Sequence, residues 1–246
     1  MPLHLPAASK TSRLINSQVI DRQRMKTSSP TLERRRLHGA PSTTPTPALF
    51  LDRDGVIIED RHHIRNPDHV QLCHGARPLI SLAHQSGWPV VVITNQSGIS
   101  RGLLDWEDYE KVTDRMLALL GPEGPITAIY ANGHGPDAPP MSWRKPSPAM
   151  LHQAAVDLQL DLARSVLIGD RLSDLQAGEA AGLAAVCHVL SGHGERERQS
   201  VEHWGEQRQT RRASEISTTS LLLLNNLESF PTSLLESQTA CLGMAP

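Results

Sequence analysis

The sequence predicts an α/β fold, a three-layer Rossmann-like parallel sheet. Two observations predict it: short runs of Val, Ile and Leu alternate with helix-like segments, and each run leads into a polar residue. The length of 246 residues, 39% of them apolar, is enough for one sizeable domain with tails. Ligands of such sheets bind beyond the carboxyl ends of the strands, so the polar residues there are the candidate functional residues.

Residues 1–46 come first, and they carry eight Lys or Arg against two acidic residues before a Pro/Thr/Ser-rich stretch. This composition predicts a disordered basic tail; a transit peptide, or a true start at Met25, are the alternatives. Residues 47–228 follow as the compact domain. Residues 229–246 are expected to form a flexible C-terminal tail.

Strands and helices alternate within the compact domain. Strands are predicted at 48–51, 90–93, 166–168 and 184–190. Helices are predicted at 76–86, at 106–120 with Asp105 as N-cap, and at 148–158. The charged segment 192–212 is expected to be a loop or a solvated helix, and 216–227 to add a last short strand and helix.

The composition excludes several function classes. A net charge of −2 and 3% aromatic residues argue against nucleic acid as a partner. The longest candidate apolar run, 221–224, is far shorter than the roughly 20 residues of a membrane span. The three cysteines are far apart and odd in number, which fits neither a disulfide framework nor a cysteine-rich zinc site. We therefore expect a cytoplasmic protein that acts without a membrane.

The strongest chemical signal is the sequence Asp-Arg-Asp-Gly at 52–55, directly after the first predicted strand. Two carboxylates at i and i+2 of a strand end can face one pocket, and Gly55 lets the chain turn away. Such a pair can hold a hard divalent cation while one acid attacks phosphorus and the other moves a proton. Taken alone, the pattern fits an Asx-type turn equally well.

Three further elements follow in order at the expected strand and helix ends. Thr-Asn-Gln-Ser-Gly at 94–98 offers a hydroxyl, amides and backbone N–H groups to an anionic oxygen. Arg144-Lys145-Pro146 opens the next helix, where the lysine can act as a point charge on a phosphate. Asp170 and Asp174 bring further carboxylates after the third strand. Each element alone is an ordinary turn, a solvated pair or a helix cap.

In this order, the four elements resemble the haloacid dehalogenase superfamily of aspartate-nucleophile phosphatases. Within it, the Asp-Arg-Asp-Gly motif, the string Thr-Asn-Gln-Ser-Gly-Ile-Ser-Arg-Gly at 94–102 and Arg-Lys-Pro-x-Pro at 144–148 are similar to one branch. That branch holds the D-glycero-D-manno-heptose 1,7-bisphosphate phosphatases and the histidinol phosphatases. The resemblance covers residues 48–194 and implies the haloacid dehalogenase type of sheet, without a large cap domain because no long insertion separates the motifs.

The resemblance implies a two-step phosphoryl transfer that depends on Mg²⁺. Asp52 would attack phosphorus, and Asp54 would protonate the leaving oxygen and then activate water. Lys145 and the metal would neutralise charge on the phosphoryl oxygens, and Thr94 would add a hydrogen bond to the same oxygens. Mg²⁺ would be held by Asp52, the Asp54 carbonyl and Asp170, with Asp174 behind them. Substrate contacts are implied for Asp60, Arg61, His62, His63, Thr94, Asn95, Gln96, Ser97, Arg144, Lys145 and Arg171.

One departure from the branch concerns a loop. Many members carry a zinc loop, Cys-x-His and Cys-x-Cys, just before the Arg-Lys-Pro segment. Here Asn132 stands in place of the first cysteine, only His134 remains of the set, and residues 129–143 hold no cysteine. One ligand does not hold a structural zinc, so we expect no zinc. In the family this loop helps to decide which sugar the active site accepts, so its change affects the choice of substrate.

The resemblance implies first the removal of the 7-phosphate of a heptose 1,7-bisphosphate, a precursor of lipopolysaccharide or S-layer sugars. A histidinol-phosphate phosphatase or a broad phosphosugar phosphatase would keep the enzyme class. A non-catalytic phosphosugar-binding protein is a third alternative, disfavoured because every chemical position is present. We expect a monomer.

Overall fold

The structure is a computed structural model that describes residues 32–39, 41–211 and 218–236. Within these ranges the strands form a seven-stranded sheet. The strands are β1 (Glu33–Leu37), β2 (Leu49–Leu51), β3 (Val90–Asn95), β4 (Ala128–Asn132), β5 (Val166–Gly169), β6 (Ala185–His188) and β7 (Ser220–Leu223). The helices are α1 (Ala76–Gln85), α2 (Trp106–Leu120), α3 (Ala149–Leu158), α4 (Leu172–Ala180), α5 (Gly194–Arg211) and α6 (Ser233–Glu236). The strand order is β1-β4-β3-β2-β5-β6-β7, and all neighbours are parallel except β1 and β4.

The central strand β2 sends side chains into two separate apolar cores. Leu49 and Leu51 pack into the core that includes Ile80 of α1 and Met116 of α2. Phe50 packs into the core on the opposite face, which includes residues of α3, α4 and α5. Because both faces of the parallel strands are covered, β2 carries an unbroken apolar run. The predicted three-layer α/β architecture is confirmed.

The strands predicted at 48–51, 90–93, 166–168 and 184–190 and the helices predicted at 76–86, 106–120 and 148–158 are confirmed to within two residues at each end. The last strand is confirmed as β7, but the helix expected by residue 227 begins only at Ser233. For α2 the agreement extends to the cap: the Asp105 carboxylate accepts a hydrogen bond from the Asp108 N–H at 2.8 Å, and the Asp108 carboxylate accepts one from the Asp105 N–H. The charged segment forms the helix α5, and β7 with a 3₁₀ turn follows it. The prediction did not include β1, β4 or α4.

The expectation of disorder through residue 46 is wrong for β1, which pairs antiparallel with β4 at the edge of the sheet. The reason is side-chain pairing. Arg35 donates to both Asp157 oxygens at 2.8 Å, and Arg36 binds Glu110 and Asp114 at 2.6 and 2.7 Å. The basic run is therefore neutralised by acids on α2 and α3 instead of remaining solvated. Residues 1–31 lie outside the described part of the chain.

The expected flexible C-terminal tail is also wrong in its first part. Phe230 and Leu235 are buried and belong to the core shared with α1 and α2. The apolar surface of this segment therefore fixes α6 against the domain. Residues 237–246 lie outside the described residues.

The segments that connect β2 to β3 and β3 to β4 are short. Residues 52–89 contain α1 and one 3₁₀ turn, and residues 96–127 contain α2. Neither segment holds a separate cap domain, as expected. None of the described helices is long and apolar enough to cross a membrane.

Candidate active site

The carboxyl ends of β2, β3 and β5 open into a cleft of about 310 Å³. The parallel register places the residues that follow these neighbouring strands at one edge of the sheet. The cleft is lined by these residues predicted from the sequence: Asp52, Asp54, Asp60, His62, His63, Asn95, Gln96, Ser97, Arg144, Lys145 and Arg171. Thr94 and Asp170 are buried beneath the cleft surface.

Asp52 follows β2 directly and lies on the cleft floor. Its Oδ1 accepts hydrogen bonds from the Arg53 N–H at 2.8 Å and from Lys145 Nζ at 3.0 Å. Burial, together with the charges of Asp174 and Asp54, raises the pKa of Asp52 to about 6 against the opposing effect of Lys145. Because the two hydrogen bonds hold Oδ1, Oδ2 is the oxygen available to a substrate.

Lys145 lies between two carboxylates, and its side chain is only 2% exposed. Its Nζ is 2.6 Å from Asp174 Oδ1 and also donates to the Ile93 carbonyl at 3.0 Å. Burial lowers the pKa of Lys145, but the charges of Asp174 and Asp52 outweigh it, so the net pKa is raised. The ammonium therefore remains charged at the cleft floor.

Asn95, at the end of β3, fixes the backbone around Lys145. Its Oδ1 accepts from the Lys145 N–H at 3.1 Å, and its Nδ2 donates to the Lys145 carbonyl at 3.2 Å. The same Oδ1 accepts from Asn132 Nδ2 at 3.2 Å. Asn95 therefore positions the lysine, and it also lines the cleft, where the resemblance implies a substrate contact.

Asp170 follows β5 and is completely buried. Its Oδ2 accepts from the His193 N–H at 2.7 Å, whereas its Oδ1 has no hydrogen-bond partner. Burial, together with the charges of Asp174 and Asp52, raises the pKa of Asp170 to about 8. A Cβ at Gly55 or Gly192 would come within 2.4 or 2.3 Å of Oδ2, so both glycines are needed for this approach.

The buried acids fit a divalent cation. Oxygens of Asp52, Asp170 and Asp174 lie within 4.8 Å of one another. Carboxylate oxygens are the ligands that Mg²⁺ prefers, and a cation there would relieve the mutual repulsion and partner the orphaned Asp170 Oδ1. Asp174 is already bound to Lys145, and its Oδ2 accepts from the Arg171 N–H at 3.0 Å at the start of α4. Asp174 therefore fits a supporting position behind Asp52 and Asp170.

Asp54 faces the cleft beside Gln96 and Thr94. Gln96 Nε2 donates to Asp54 Oδ2 at 2.7 Å and to Thr94 Oγ1 at 2.8 Å. The Thr94 hydroxyl therefore keeps its own proton for donation. The side chain of Gln96 is held by residues of the site itself.

Three arginines surround the cleft opening. Arg101, Arg144 and Arg171 all line the cleft. Burial lowers the pKa of Arg144, and the charges of Arg171 and Arg101 lower it further. Arg144 donates to the His134 carbonyl at 3.1 Å, and Arg101 contacts His63 Nε2 at 2.8 Å. Such a group of positive charges favours an anion near the opening.

The acidic and histidine residues of the opening form a second group. Asp60 Oδ2 lies 2.7 Å from His193 Nε2 and 3.8 Å from Arg171. His62 and His63 have φ values of 50° and 58°, a rare conformation for non-glycine residues that clusters at functional loops. This loop lies opposite the turn that carries His193.

One residue for which the resemblance implies a substrate contact lies outside the cleft. Arg61 is not in the cleft lining, because its guanidinium turns outward to Glu59 at 3.0 Å and Gln71 at 2.7 Å. Sequence reasoning also missed Arg53, Arg101, Ser173 and His193, which line the cleft. Arg53 and Arg101 lie inside the quoted motifs and could have been proposed; His193 is brought in only by the tertiary fold.

The loop before Arg144 is held by hydrogen bonds. Glu33 of β1 accepts from the Trp143 N–H at 2.7 Å, and its Oε1 lies 3.7 Å from His134 Nε2. Asn132 Oδ1 accepts from the His134 N–H at 3.3 Å, and its Nδ2 donates to the His134 carbonyl. The residues at the positions that the zinc loop would use are therefore engaged with the edge strand and with each other.

Comparison with known proteins places this site in a family. The family model described as HAD-hydrolase-like matches residues 142–214. A D-glycero-beta-D-manno-heptose-1,7-bisphosphate 7-phosphatase of Mesorhizobium japonicum is 46% identical over 145 residues, which are 56% of this chain and 67% of the relative. A D-glycero-alpha-D-manno-heptose-1,7-bisphosphate 7-phosphatase of Burkholderia mallei is 38% identical over 143 residues, 55% and 76% of the two chains.

A solved structure agrees in both fold and bound groups. The D,D-heptose 1,7-bisphosphate phosphatase of B. bronchiseptica, complexed with magnesium and phosphate, aligns with a TM-score of 0.64 at 31% identity and covers 78% of this chain and 99% of its own. The acid cluster and the cationic cleft of this chain are compatible with binding the same two groups. The chain belongs to the heptose 1,7-bisphosphate 7-phosphatase family of haloacid-dehalogenase-like phosphoric monoester hydrolases.

Proposed function

We propose that this chain removes the 7-phosphate of D-glycero-D-manno-heptose 1,7-bisphosphate through a phosphoaspartate intermediate on Asp52. The observation that carries the proposal is the separation of positive charge within one cleft. Lys145 lies at the floor beside Asp52, whereas Arg101, Arg144 and Arg171 lie at the opening. A substrate with two phosphates can occupy both places at once. The activity named for the relatives is the same.

Histidinol phosphate fits this charge distribution less well. Its amino and imidazole groups would bring positive charge towards Arg101, Arg144 and Arg171, and like charges in a partly desolvated site repel. A bisphosphate instead gives the three arginines an anionic partner. The geometry therefore favours the heptose bisphosphate over the histidinol alternative.

In the first step, an Asp52 oxygen attacks phosphorus, the bond from phosphorus to the sugar oxygen breaks, and that oxygen takes a proton from Asp54. In the second step, Asp54 takes a proton from water as the water oxygen attacks phosphorus. The bond between phosphorus and the Asp52 oxygen then breaks, which releases inorganic phosphate. Lys145 and the Thr94 hydroxyl stabilise charge on the phosphoryl oxygens throughout.

A bound Mg²⁺ would supply further charge neutralisation, held by Asp52, Asp170 and the main-chain carbonyl of Asp54. Asp60, His62, His63 and Ser97 line the outer cleft and are proposed to contact the sugar. We propose that the enzyme works as a monomer in the cytoplasm.

The test is phosphate release with Mg²⁺ from both anomers of the heptose bisphosphate, beside histidinol phosphate and fructose 1,6-bisphosphate. We expect a preference in kcat/KM of about 100-fold for one heptose anomer, about 2.7 kcal/mol of transition-state binding, with the 1-phosphate as product. Comparable slow rates on all four substrates would contradict the proposal and indicate a generalist. No release from any of them would indicate a binding protein.

A further inference from the structure

We propose that Arg53, together with Gln96, is a positioning residue that orients the Asp54 carboxylate so that its Oδ1 transfers the proton to the leaving group. The inference rests on the proposed function, in which Asp54 is the general acid. It adds the residues that fix the direction of that acid and the oxygen that carries the proton.

The guanidinium of Arg53 donates hydrogen bonds to the carboxylate of the neighbouring residue, Asp54. Its NH2 donates to Asp54 Oδ2 at 3.0 Å and to Oδ1 at 3.2 Å, and its Nε donates to Oδ2 at 3.2 Å. Gln96 Nε2 approaches the same Oδ2 from the end of β3 at 2.7 Å. Two side chains on different strand ends therefore converge on one carboxylate and restrict its rotation.

Arg53 is itself fixed from behind by α2. Its NH1 lies 3.4 Å from Thr113 Oγ1, and its Cζ lies 5.1 Å from the centre of the Tyr109 ring. The side chain is 2% exposed, whereas Asp54 is 25% exposed. Within the described part of the chain, Asp54 is the only acid in ion-pair distance of Arg53. A buried charge is costly unless it is paired, so the guanidinium depends on holding this carboxylate.

The two oxygens of Asp54 are used unequally. Oδ2 accepts from Arg53 NH2, Arg53 Nε and Gln96, whereas Oδ1 accepts only the longer bond from Arg53 NH2. A carboxylate oxygen that already accepts three hydrogen bonds has little capacity left for a proton. Oδ1 therefore carries the transferable proton, and the clamp on Oδ2 keeps Oδ1 directed into the cleft.

A purely structural role for Arg53 makes a different prediction. If the guanidinium served only to pack α2 against the sheet, its loss would lower activity on every substrate by the same factor. A role in directing the acid affects only substrates whose leaving group needs a proton. The two possibilities are therefore distinguished by comparing the activity on a substrate whose leaving group needs a proton with the activity on one whose leaving group does not.

The experiment compares kcat/KM, which reports the first phosphoryl transfer, on the heptose bisphosphate and on p-nitrophenyl phosphate, both with Mg²⁺. The sugar alkoxide needs a proton to leave, whereas p-nitrophenolate leaves without one. For Arg53→Lys and Gln96→Leu we expect kcat/KM to fall by about 10²-fold on the sugar phosphate and by only a few-fold on the aryl phosphate. Asp54→Asn serves as the reference and should show the same bias more strongly.

Thr113→Val is the matched control, since it removes a contact of Arg53 but leaves both bonds to Asp54 Oδ2. It should lower both activities equally or not at all. Equal losses on the two substrates for Arg53→Lys and Gln96→Leu, while Asp54→Asn remains biased, would overturn this inference and leave the proposed function intact. An unbiased Asp54→Asn, or a wild-type enzyme without sugar-phosphate turnover, would overturn both.

Discussion

At the scale of single residues, the site holds three buried acids, Asp52, Asp170 and Asp174, and one buried lysine, Lys145, which does not neutralise all of them. Asp52 and Asp174 both take their hydrogen bonds from Lys145, while Asp170 leaves one oxygen without a partner. Burial, together with repulsion from the neighbouring acids, raises the pKa values of Asp52 and Asp170. The chain therefore gives up stability in order to present a nucleophile and a cation site together.

The substitution Asp52→Asn should abolish turnover without unfolding the protein. It removes the proposed nucleophile, which should lower kcat by about 10⁴-fold or more. It also removes one of the repelling charges, so the thermal unfolding temperature should stay the same or rise. Phosphate release and a melting curve check both statements. Activity near the wild-type level in a folded variant would exclude Asp52 as nucleophile.

The substitution Lys145→Ala should lower kcat and also destabilise the fold. Without the ammonium, Asp52 and Asp174 lose their shared counter-charge at a largely buried position, which costs about 3–5 kcal/mol. Adding Mg²⁺ should recover part of the unfolding temperature, since a cation replaces some of the lost charge. The check is a denaturation series with and without Mg²⁺. An unchanged kcat would mean that the phosphate does not bind at the cleft floor.

The positions of the proposed catalytic groups were predictable because they depend on strand ends. Asp52, Thr94 and Asp170 each follow an apolar run, and parallel register brings such residues together. The outward turn of Arg61 and the clamp formed by Arg53 were not predictable. Both depend on which neighbours the folded chain supplies, and a linear pattern does not contain those neighbours.

At the scale of elements, β1 braces the loop that delivers Arg144. Glu33 is paired in register with Asn132 and accepts from the Trp143 N–H, one residue before Arg144. The Gly133 N–H donates to the Leu32 carbonyl and closes the base of the loop. The N-terminal strand is therefore connected to substrate binding as well as to the sheet.

The substitution Glu33→Ala should raise KM for the heptose bisphosphate more than it lowers kcat. Loss of the bond to Trp143 is expected to weaken the placement of Arg144 by about 1 kcal/mol, or roughly five-fold in KM. Arg34→Ala is the matched control on the same strand, since its contacts are with Glu110 and Trp106 on α2. The measurement is KM and kcat of both variants by steady-state kinetics. Equal KM values for the two would show that β1 does not support the loop.

Sequence reasoning missed β1 and β4 for different physical reasons. The run Glu-Arg-Arg-Arg-Leu has no apolar alternation. It forms a strand by pairing with β4, and acids on α2 and α3 neutralise its arginines. Residues 128–132 are apolar enough for a buried strand, but they were considered only as the approach to a loop. The start of helix α2 was predictable to the residue because Asp105 and Asp108, three positions apart, form a capping box that needs no distant residue.

At the scale of the whole molecule, the raised pKa values link folding to pH and to Mg²⁺. The carboxyl groups of Asp52 and Asp170 have pKa values of about 6 and about 8 against the usual 3.8. Between about pH 4 and pH 8 the folded, metal-free protein therefore binds more protons than the unfolded chain. Its free energy of unfolding should fall as the pH rises through this window and level off above it.

Magnesium should reverse this trend. A cation binds only the deprotonated acids. Below the pKa of Asp170, the affinity for Mg²⁺ should therefore rise about tenfold for each unit by which the pH is raised. The increase in unfolding temperature on adding Mg²⁺ should accordingly be larger at pH 8 than at pH 6, and EDTA should remove it. Asp170→Asn should abolish most of the increase. An increase independent of pH in the wild-type protein would contradict the assignment of the cation to these acids.

The most direct test of the account is to trap the covalent intermediate. The Asp54→Asn variant, in which hydrolysis of the intermediate is slowed, is mixed with Mg²⁺ and p-nitrophenyl phosphate, whose leaving group needs no proton from Asp54. The mixture is quenched in acid and treated with borohydride, which reduces an aspartyl phosphate to homoserine. We predict that peptide mass spectrometry finds the homoserine at position 52 and nowhere else. Homoserine at another aspartate, or none while phosphate is released, would contradict the assignment of Asp52 as the nucleophile.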